Sequence, residues 1–163
     1  MLNDIDYNHI ENEALNVLDA YEITKPVVNV AEIAKGEGIN IKEIKMQDQY
    51  KGVAGFYDKK SNTIYIEETD APKRKSFTIA HELGHIFMGH QNATVLYRIP
   101  RKDARYAKEE KEANCFAADL LMPDFMLKEY MEKYHLGKSD YVVMSDMFGV
   151  PIPAMKVQLE WLK

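Results

Sequence analysis

Phe77-Thr78-Ile79-Ala80-His81-Glu82-Leu83-Gly84-His85-Ile86-Phe87-Met88-Gly89-His90 is the stretch on which the reading of this chain turns. A helix advances about 100° per residue, so positions i and i+4 lie roughly 40° apart on one face. His81 and His85 have that spacing and can aim both imidazoles at one metal ion. Glu82 follows the first histidine and reaches the open side of such an ion, where a carboxylate can take a proton from water. Zinc hydrolases use this arrangement. Short His/Glu patterns also arise by chance on solvated helices. Here, however, the neighbours are Phe77, Ile79, Ala80, Leu83, Ile86, Phe87 and Met88. Two histidines and a glutamate buried among them would be costly without a partner. A metal ion satisfies all three. Gly84 lacks a side chain, so a second element can approach closely beside the site.

A zinc site with two histidines wants a third protein ligand and keeps one position open for water. The next helical stretch, Lys108 to Pro123, supplies candidates. Ala113, Phe116, Ala117, Leu120 and Leu121 form its apolar stripe at helical spacing. Three glutamates precede or flank that stripe. Glu112 reads as pointing well away from it, and Glu109 and Glu110 as flanking it. Glu110 has Asn114 one turn later, and an amide there can hydrogen-bond a ligand and hold its orientation. Glu110 is therefore chosen as the third ligand, with Asn114 as the residue that supports a ligand from behind. His90 is the rival, because a third histidine six residues past the second is a known zinc pattern. His90 comes five residues after His85, which rotates it about 140° away; it reads as a helix-end residue.

The rest of the chain bounds the setting. Its 163 residues fit one domain with a real core. The expectation is a single domain over 1–163, with 135–163 as a helical extension packed on it. Net charge is −5, against a broadly basic nucleic-acid face. A single cysteine, Cys115, excludes an internal disulfide and fits a reducing compartment. No basic and apolar leader opens the sequence and no apolar run reaches membrane-spanning length, so a cytoplasmic protein with no membrane contact is expected.

In chain order, Asp6 to Tyr21 reads as an amphipathic helix with Ile10, Ala14, Val17 and Leu18 inward. Val28 to Glu37 reads as a short helix closed by glycine. Strands are expected at Ile39–Ile44, Gly52–Asp58 and Thr63–Glu67, the last two joined by a turn at Lys59–Asn62. A sheet edge among them could pair with an extended peptide, though a purely structural sheet fits equally well. Asp70 can cap the metal helix, with Pro72 in its first turn. Arg74 and Lys75 follow, and Lys75 reads as solvated. Between the two motifs lie Arg98, Arg101, Lys102 and Arg105, a block that could draw an acidic segment but reads first as a solvated loop. Tyr97, Tyr106 and Arg105 qualify as oxyanion donors only by their place in the chain. The tail, Ser139 to Trp161, has a helix-turn-helix pattern, yet Asp140, Asp146 and Glu160 offset Lys138, Lys156 and Lys163, and DNA contact needs clustered cations. A packing unit is expected, with Met155 and Trp161 closing the core.

The fold class expected is α+β, a small mostly antiparallel sheet on a helical zincin-like core. Arg74-x-x-Phe77-Thr78-x-Ala80-His81-Glu82-Leu83-Gly84-His85, followed by Glu110-x-x-Ala113-Asn114-x-Phe116-Ala117-Ala118-x-Leu120-Leu121-Met122-Pro123, resembles the ImmA/IrrE-type metallopeptidases. The lead-in Tyr21-Glu22-Ile23-Thr24-Lys25-Pro26-Val27 and Val30-Ala31-Glu32-Ile33-Ala34 is similar too. The resemblance spans most of residues 10–125, with no departure at the motif positions. It implies zinc (Zn2+) held by His81, His85 and Glu110, with Glu82 as the catalytic base. It also implies a bacterial, phage or mobile-element origin and a protein substrate, in particular a helix-turn-helix repressor. The alternative is a zinc-fold module that sequesters a repressor or toxin partner without cleaving it. An intact Glu82 favours the enzyme. The sequence sets no oligomeric state.

Overall fold

Asp6 opens the first helix, α1 (Tyr7–Ala20), by accepting a hydrogen bond on its side chain from the His9 N–H at 3.0 Å. The computed structural model describes residues 4–46, 55–90 and 104–163, with side chains from 107 onward in the last segment. The expectations placed on Gly52–Ala54, Tyr97, Arg98, Arg101, Lys102, Arg105 and Tyr106 fall outside the residues or side chains so described. Ile10, Ala14, Val17 and Leu18 are all buried, as the helical spacing predicts. Asn29 caps α2 (Val30–Gly36) in the same way, through the Glu32 N–H at 3.1 Å.

The sheet has three strands, β1 (Asn40–Ile44), β2 (Gly55–Asp58) and β3 (Thr63–Glu67), in the order β1-β3-β2. β2 and β3 form the expected hairpin. Asp58 organises its turn by accepting from the Lys60 N–H at 3.1 Å and the Ser61 hydroxyl at 2.8 Å. β1 pairs with β3 in parallel, Ile41 opposite Ile64 and Glu43 opposite Ile66. The sheet is thus mixed, with one antiparallel and one parallel pair. The hairpin return sets the direction of β3 against β2, and β1 joins on the far side of β3. Ile64 and Ile66 of the central strand are buried.

α3 (Pro72–Phe87) packs on this sheet and on α4 (Ala104–Leu121), which also packs along α1. Asp70 does not cap α3. The N-cap is Ala71, without a side-chain bond, and Asp70 instead pairs with Arg74 one turn on at 3.4 Å. Pro72 supplies the first-turn φ and has no N–H to leave unsatisfied. Lys75 is not solvated either; its ammonium lies 3.0 Å from the Glu43 carboxylate and ties α3 to β1.

α5 (Asp124–Lys133), α6 (Tyr141–Phe148) and α7 (Ile152–Trp161) complete the described elements. Met144, Phe148, Val150, Met155 and Leu159 are buried in the same apolar cluster as α1, α3 and α4. Lys73 pairs with Asp146, and Gln158 donates to both Asp119 Oδ1 and the Met122 carbonyl at 3.1 Å, so the last two helices are tied to α3 and α4. Met155 closes the core as expected, but Trp161 does not: it is 63% exposed and rests on Tyr7, ring centroids 5.3 Å apart. Leu159 and Leu162 near it are buried instead. Among the described residues no helix is long and apolar enough to cross a membrane.

Candidate metal centre

Gly84 sets the site. A Cβ there would lie 3.0 Å from the Ala113 carbonyl oxygen, 3.1 Å from Ala113 Cα and 3.2 Å from Phe116 Cβ. Contacts that tight are shorter than nearly all those a Cβ makes, and glycine lets α3 and α4 cross without them. Leu83 and Ala80 beside it, and Phe116 and Ala117 opposite, are fully buried and hold the crossing together. Glu110 stands one turn before Ala113, so the crossing brings its carboxylate over the two histidines.

Donor atoms of three residues converge there. His81 Nε2 and His85 Nε2 are 3.2 Å apart; Glu110 Oε1 is 3.0 Å from His85 Nε2, and Oε2 is 3.1 Å from His81 Nε2. Donors at ordinary zinc–nitrogen and zinc–oxygen lengths in a tetrahedron are about 3.3 Å apart. The spacing of His81, His85 and Glu110 is compatible with three ligands on one ion. Two imidazole lone pairs and a carboxylate facing one another would repel, and a cation removes the conflict. His81, His85 and Glu110 thus fit a metal ion, and among the described residues no other group of this kind is present.

Each histidine is anchored from behind. His81 Nδ1 lies 2.8 Å from Asn114 Oδ1. An amide oxygen only accepts, so the ring proton sits on Nδ1 and the lone pair on Nε2 faces the site. Asn114, expected to hydrogen-bond a ligand, lies against His81. His85 Nδ1 lies 2.8 Å from His90 Nδ1. His90 Nε2 in turn lies 3.5 Å from Glu112 Oε1. Burial pushes the His90 imidazole below its ordinary pKa, against the opposing pull of Glu109, Glu112 and Glu110. Glu82 is fully buried on the same helix, its Oε2 3.9 Å from His81 Nε2.

The structure corrects one placement. Glu112 does not point away: its side chain is 16% exposed and meets His90. It lies one turn before Phe116, roughly 40° around the helix, and so flanks the buried face. His90 is a helix-end residue, as expected, but its ring turns back. Gly89, at φ +70°, ends α3; the Gly89 N–H donates to the Ile86 carbonyl at 3.2 Å and the His90 N–H to the His85 carbonyl at 2.9 Å. This Schellman closure folds His90 over the turn that carries His85. The glycine stop followed by histidine was the available sequence signal.

The profile of the IrrE N-terminal-like domain (Peptidase_M78) matches residues 34–160. The chain is 29% identical over 147 residues to the uncharacterized immunity region protein 2 of Bacillus phage phi105, covering 89% of this chain and 85% of that protein. It is 32% identical over 82 residues to the radiation response metalloprotease IrrE of Deinococcus radiodurans, which is 49% of this chain and 25% of that one. A Mycobacterium tuberculosis transcriptional regulator has the same fold at TM-score 0.69 and 16% identity, over 94% of this chain and 46% of the regulator. The chain therefore spans less than half the length of these last two proteins. The matched profile takes in the whole of α3 and α4, including His81, His85 and Glu110, and on that extent the chain belongs to the IrrE N-terminal-like family of metallopeptidases.

Proposed function

We propose that this chain is a zinc-dependent endopeptidase that hydrolyses a peptide bond in a specific intracellular regulatory protein, a helix-turn-helix repressor of a phage or mobile element. The observation that carries the hydrolytic reading is the buried Glu82 carboxylate beside the His81–His85–Glu110 triangle. A module that only gripped its partner would not need an acid there. Zinc bound to the three ligands would polarise the scissile carbonyl and lower the pKa of water to about 7. Glu82, buried beside His81, would then serve as the base that takes a proton from water and returns it to the departing amine. Asn114 keeps His81 in the ligating tautomer. The choice of a repressor as substrate is supported by the likeness to a phage immunity region protein. The single Cys115 fits a cytoplasmic setting. We read residues 1–163 as one functional domain, with α6 and α7 as packing helices rather than a DNA reader.

Glu82→Gln tests the chemistry. It keeps the shape and removes the base, so zinc content and melting temperature stay at wild-type values while cleavage falls by about 10²–10⁴-fold. Wild-type protein and the variant are each incubated with the repressor encoded beside the gene and with casein, and fragments are read by mass spectrometry. Wild-type cleavage confined to the repressor is expected. Rapid casein digestion with the repressor intact would make this a general peptidase. A Glu82→Gln variant that still regulates in cells would establish the sequestering module instead.

A further inference from the structure

The two ligand histidines are supported differently. His81 leans on an amide, Asn114. His85 leans on a second imidazole, and that imidazole leans on a carboxylate. The hydrogen positions follow from ligation. Two Nδ1 atoms 2.8 Å apart share one proton, so one ring donates and the other accepts. For His85 Nε2 to offer a lone pair to an ion, the His85 proton must sit on Nδ1 and be donated to His90. His90 then accepts on Nδ1, its own proton is on Nε2, and that N–H faces Glu112 Oε1. Every proton in the chain Glu112–His90–His85 is thereby assigned by the requirement that His85 ligate.

Capping alone does not account for the His90 side chain. The Schellman bonds that close α3 use the backbone N–H groups of Gly89 and His90 and would survive a change of side chain. Solvation does not account for it either, since the side chain is 7% exposed. Nor does apolar packing account for it, since the ring faces the Glu112 carboxylate. The ring lies between the Glu112 carboxylate and the Nδ1 of His85, on the side of that ring away from Nε2.

We propose that His90 and Glu112 are positioning residues of the metal centre: Glu112 holds His90 through its Nε2–H, and His90 holds the His85 ring in the tautomer and orientation that present Nε2 to the ion. The proposal rests on the metal-centre reading above and adds to it the element that fixes one of its ligands. It makes α4 the source of the third ligand, Glu110, and of the far anchors of both histidines, Asn114 and Glu112.

The test measures zinc affinity by chelator competition, together with the visible spectrum of the protein loaded with Co2+. His90→Phe, which fills the space without an acceptor, should weaken zinc by about 10–100-fold, the usual loss for a support behind a ligand. It should also shift the cobalt bands, because His85 is free to turn. His90→Asn restores an acceptor near the Nδ1 position and should recover much of the affinity. Glu112→Gln keeps an acceptor but removes the charge, and should lose a smaller part. The double variant His90→Phe/Glu112→Gln should bind no worse than His90→Phe, because Glu112 acts through His90. Wild-type affinity and spectrum in His90→Phe would overturn the proposal while leaving the metal site standing. So would a His90→Asn variant, folded by circular dichroism, that binds as poorly as His90→Phe. A wild-type protein that binds neither zinc nor cobalt would instead refute the metal-centre reading itself.

Discussion

Replacing Gly84 with alanine sets two known effects against each other. Alanine in a helix interior is favoured over glycine by about 1 kcal/mol. The added methyl, however, would sit 3.0–3.2 Å from Ala113 O, Ala113 Cα and Phe116 Cβ. Ordinary contacts begin at about 3.4 Å, so these neighbours must give by a few tenths of an ångström. Two of these neighbours are backbone atoms and the third is rooted on it, so no flexible side chain can yield. α4 must move as a body. Overpacking of this kind costs about 1–3 kcal/mol, which exceeds the gain in propensity or at best balances it. For a chain of this size each kcal/mol moves the melting temperature by about 2–4 °C. Metal-free Gly84→Ala is therefore expected to melt up to about 8 °C below wild type.

The larger effect falls on the site. Glu110 rides on α4 one turn from the contact, and metal–ligand distances tolerate only about ±0.2 Å. A shift of a few tenths moves Glu110 away from two ligands that stay on α3, and zinc affinity should fall at least tenfold, about 1.4 kcal/mol. Gly38→Ala is the control. Gly38 has φ +75° with no atom within 4 Å of the added carbon, so alanine there costs about 1–2 kcal/mol of backbone strain without touching the crossing. It should lower the melting temperature and leave zinc affinity unchanged. Chelator competition and circular dichroism melts on both variants decide the matter. Gly84→Ala with raised stability and wild-type zinc affinity would refute the view that this glycine sets the ligand geometry.

Two further outcomes are expected. Glu110→Ala should abolish tight zinc binding at submicromolar chelator-buffered zinc, while Asn114→Ala should weaken it by about 10–100-fold, since the amide holds His81 without ligating; equal losses would mean that Asn114 is not merely a support. Burial lifts the Asp119 carboxyl from 3.8 to about 6, with Glu11 and Asp124 adding to the rise and hydrogen bonds from Gln158 and Cys115 opposing it. The fold thus prefers the neutral acid. That contribution is full below pH 4 and is lost as pH rises through about 6. Asp119→Asn keeps an oxygen to accept from Gln158 and carries no charge, so it should melt higher than wild type at pH 8, by a stability gain of roughly 1–3 kcal/mol, with the gap closing toward pH 4. A gap independent of pH would refute the assignment.

Much of this geometry was legible because it is periodic and local. The i, i+4 spacing of His81 and His85 determines a common face on any helix, and Ile10, Ala14, Val17 and Leu18 predict their own burial for the same reason. Gly84 announced a close approach, though not which element would make it. What sequence could not supply was the partner across a tertiary contact. Lys75 reads as solvated until β1 brings Glu43 to it, and Asp70 reads as a cap until Arg74 claims it. Trp161 reads as core, yet Leu159 and Leu162 are buried and the indole rests on Tyr7. The mixed sheet follows from where β1 docks, which no turn chemistry fixes.

Glu112 is the most instructive of these cases. A helical wheel ranks residues by distance from their own apolar stripe and treats everything beyond it as solvent. Beside α4, however, lies the end of α3, where Gly89 at positive φ turns His90 back into the interior. That end is polar, so the position facing it on α4 has to be polar as well, and Glu112 fills it. The carboxylates of α4 therefore divide by what they meet: Glu110 meets the two Nε2 atoms, and Glu112 meets the ring that stands behind one of them. A metal site carried on two helices needs the second helix to fix the orientation of the first helix's ligands as well as to complete their number. Residues 110, 112 and 114 do both within little more than one turn, which is why a change in the Gly84 crossing should be felt at every ligand together.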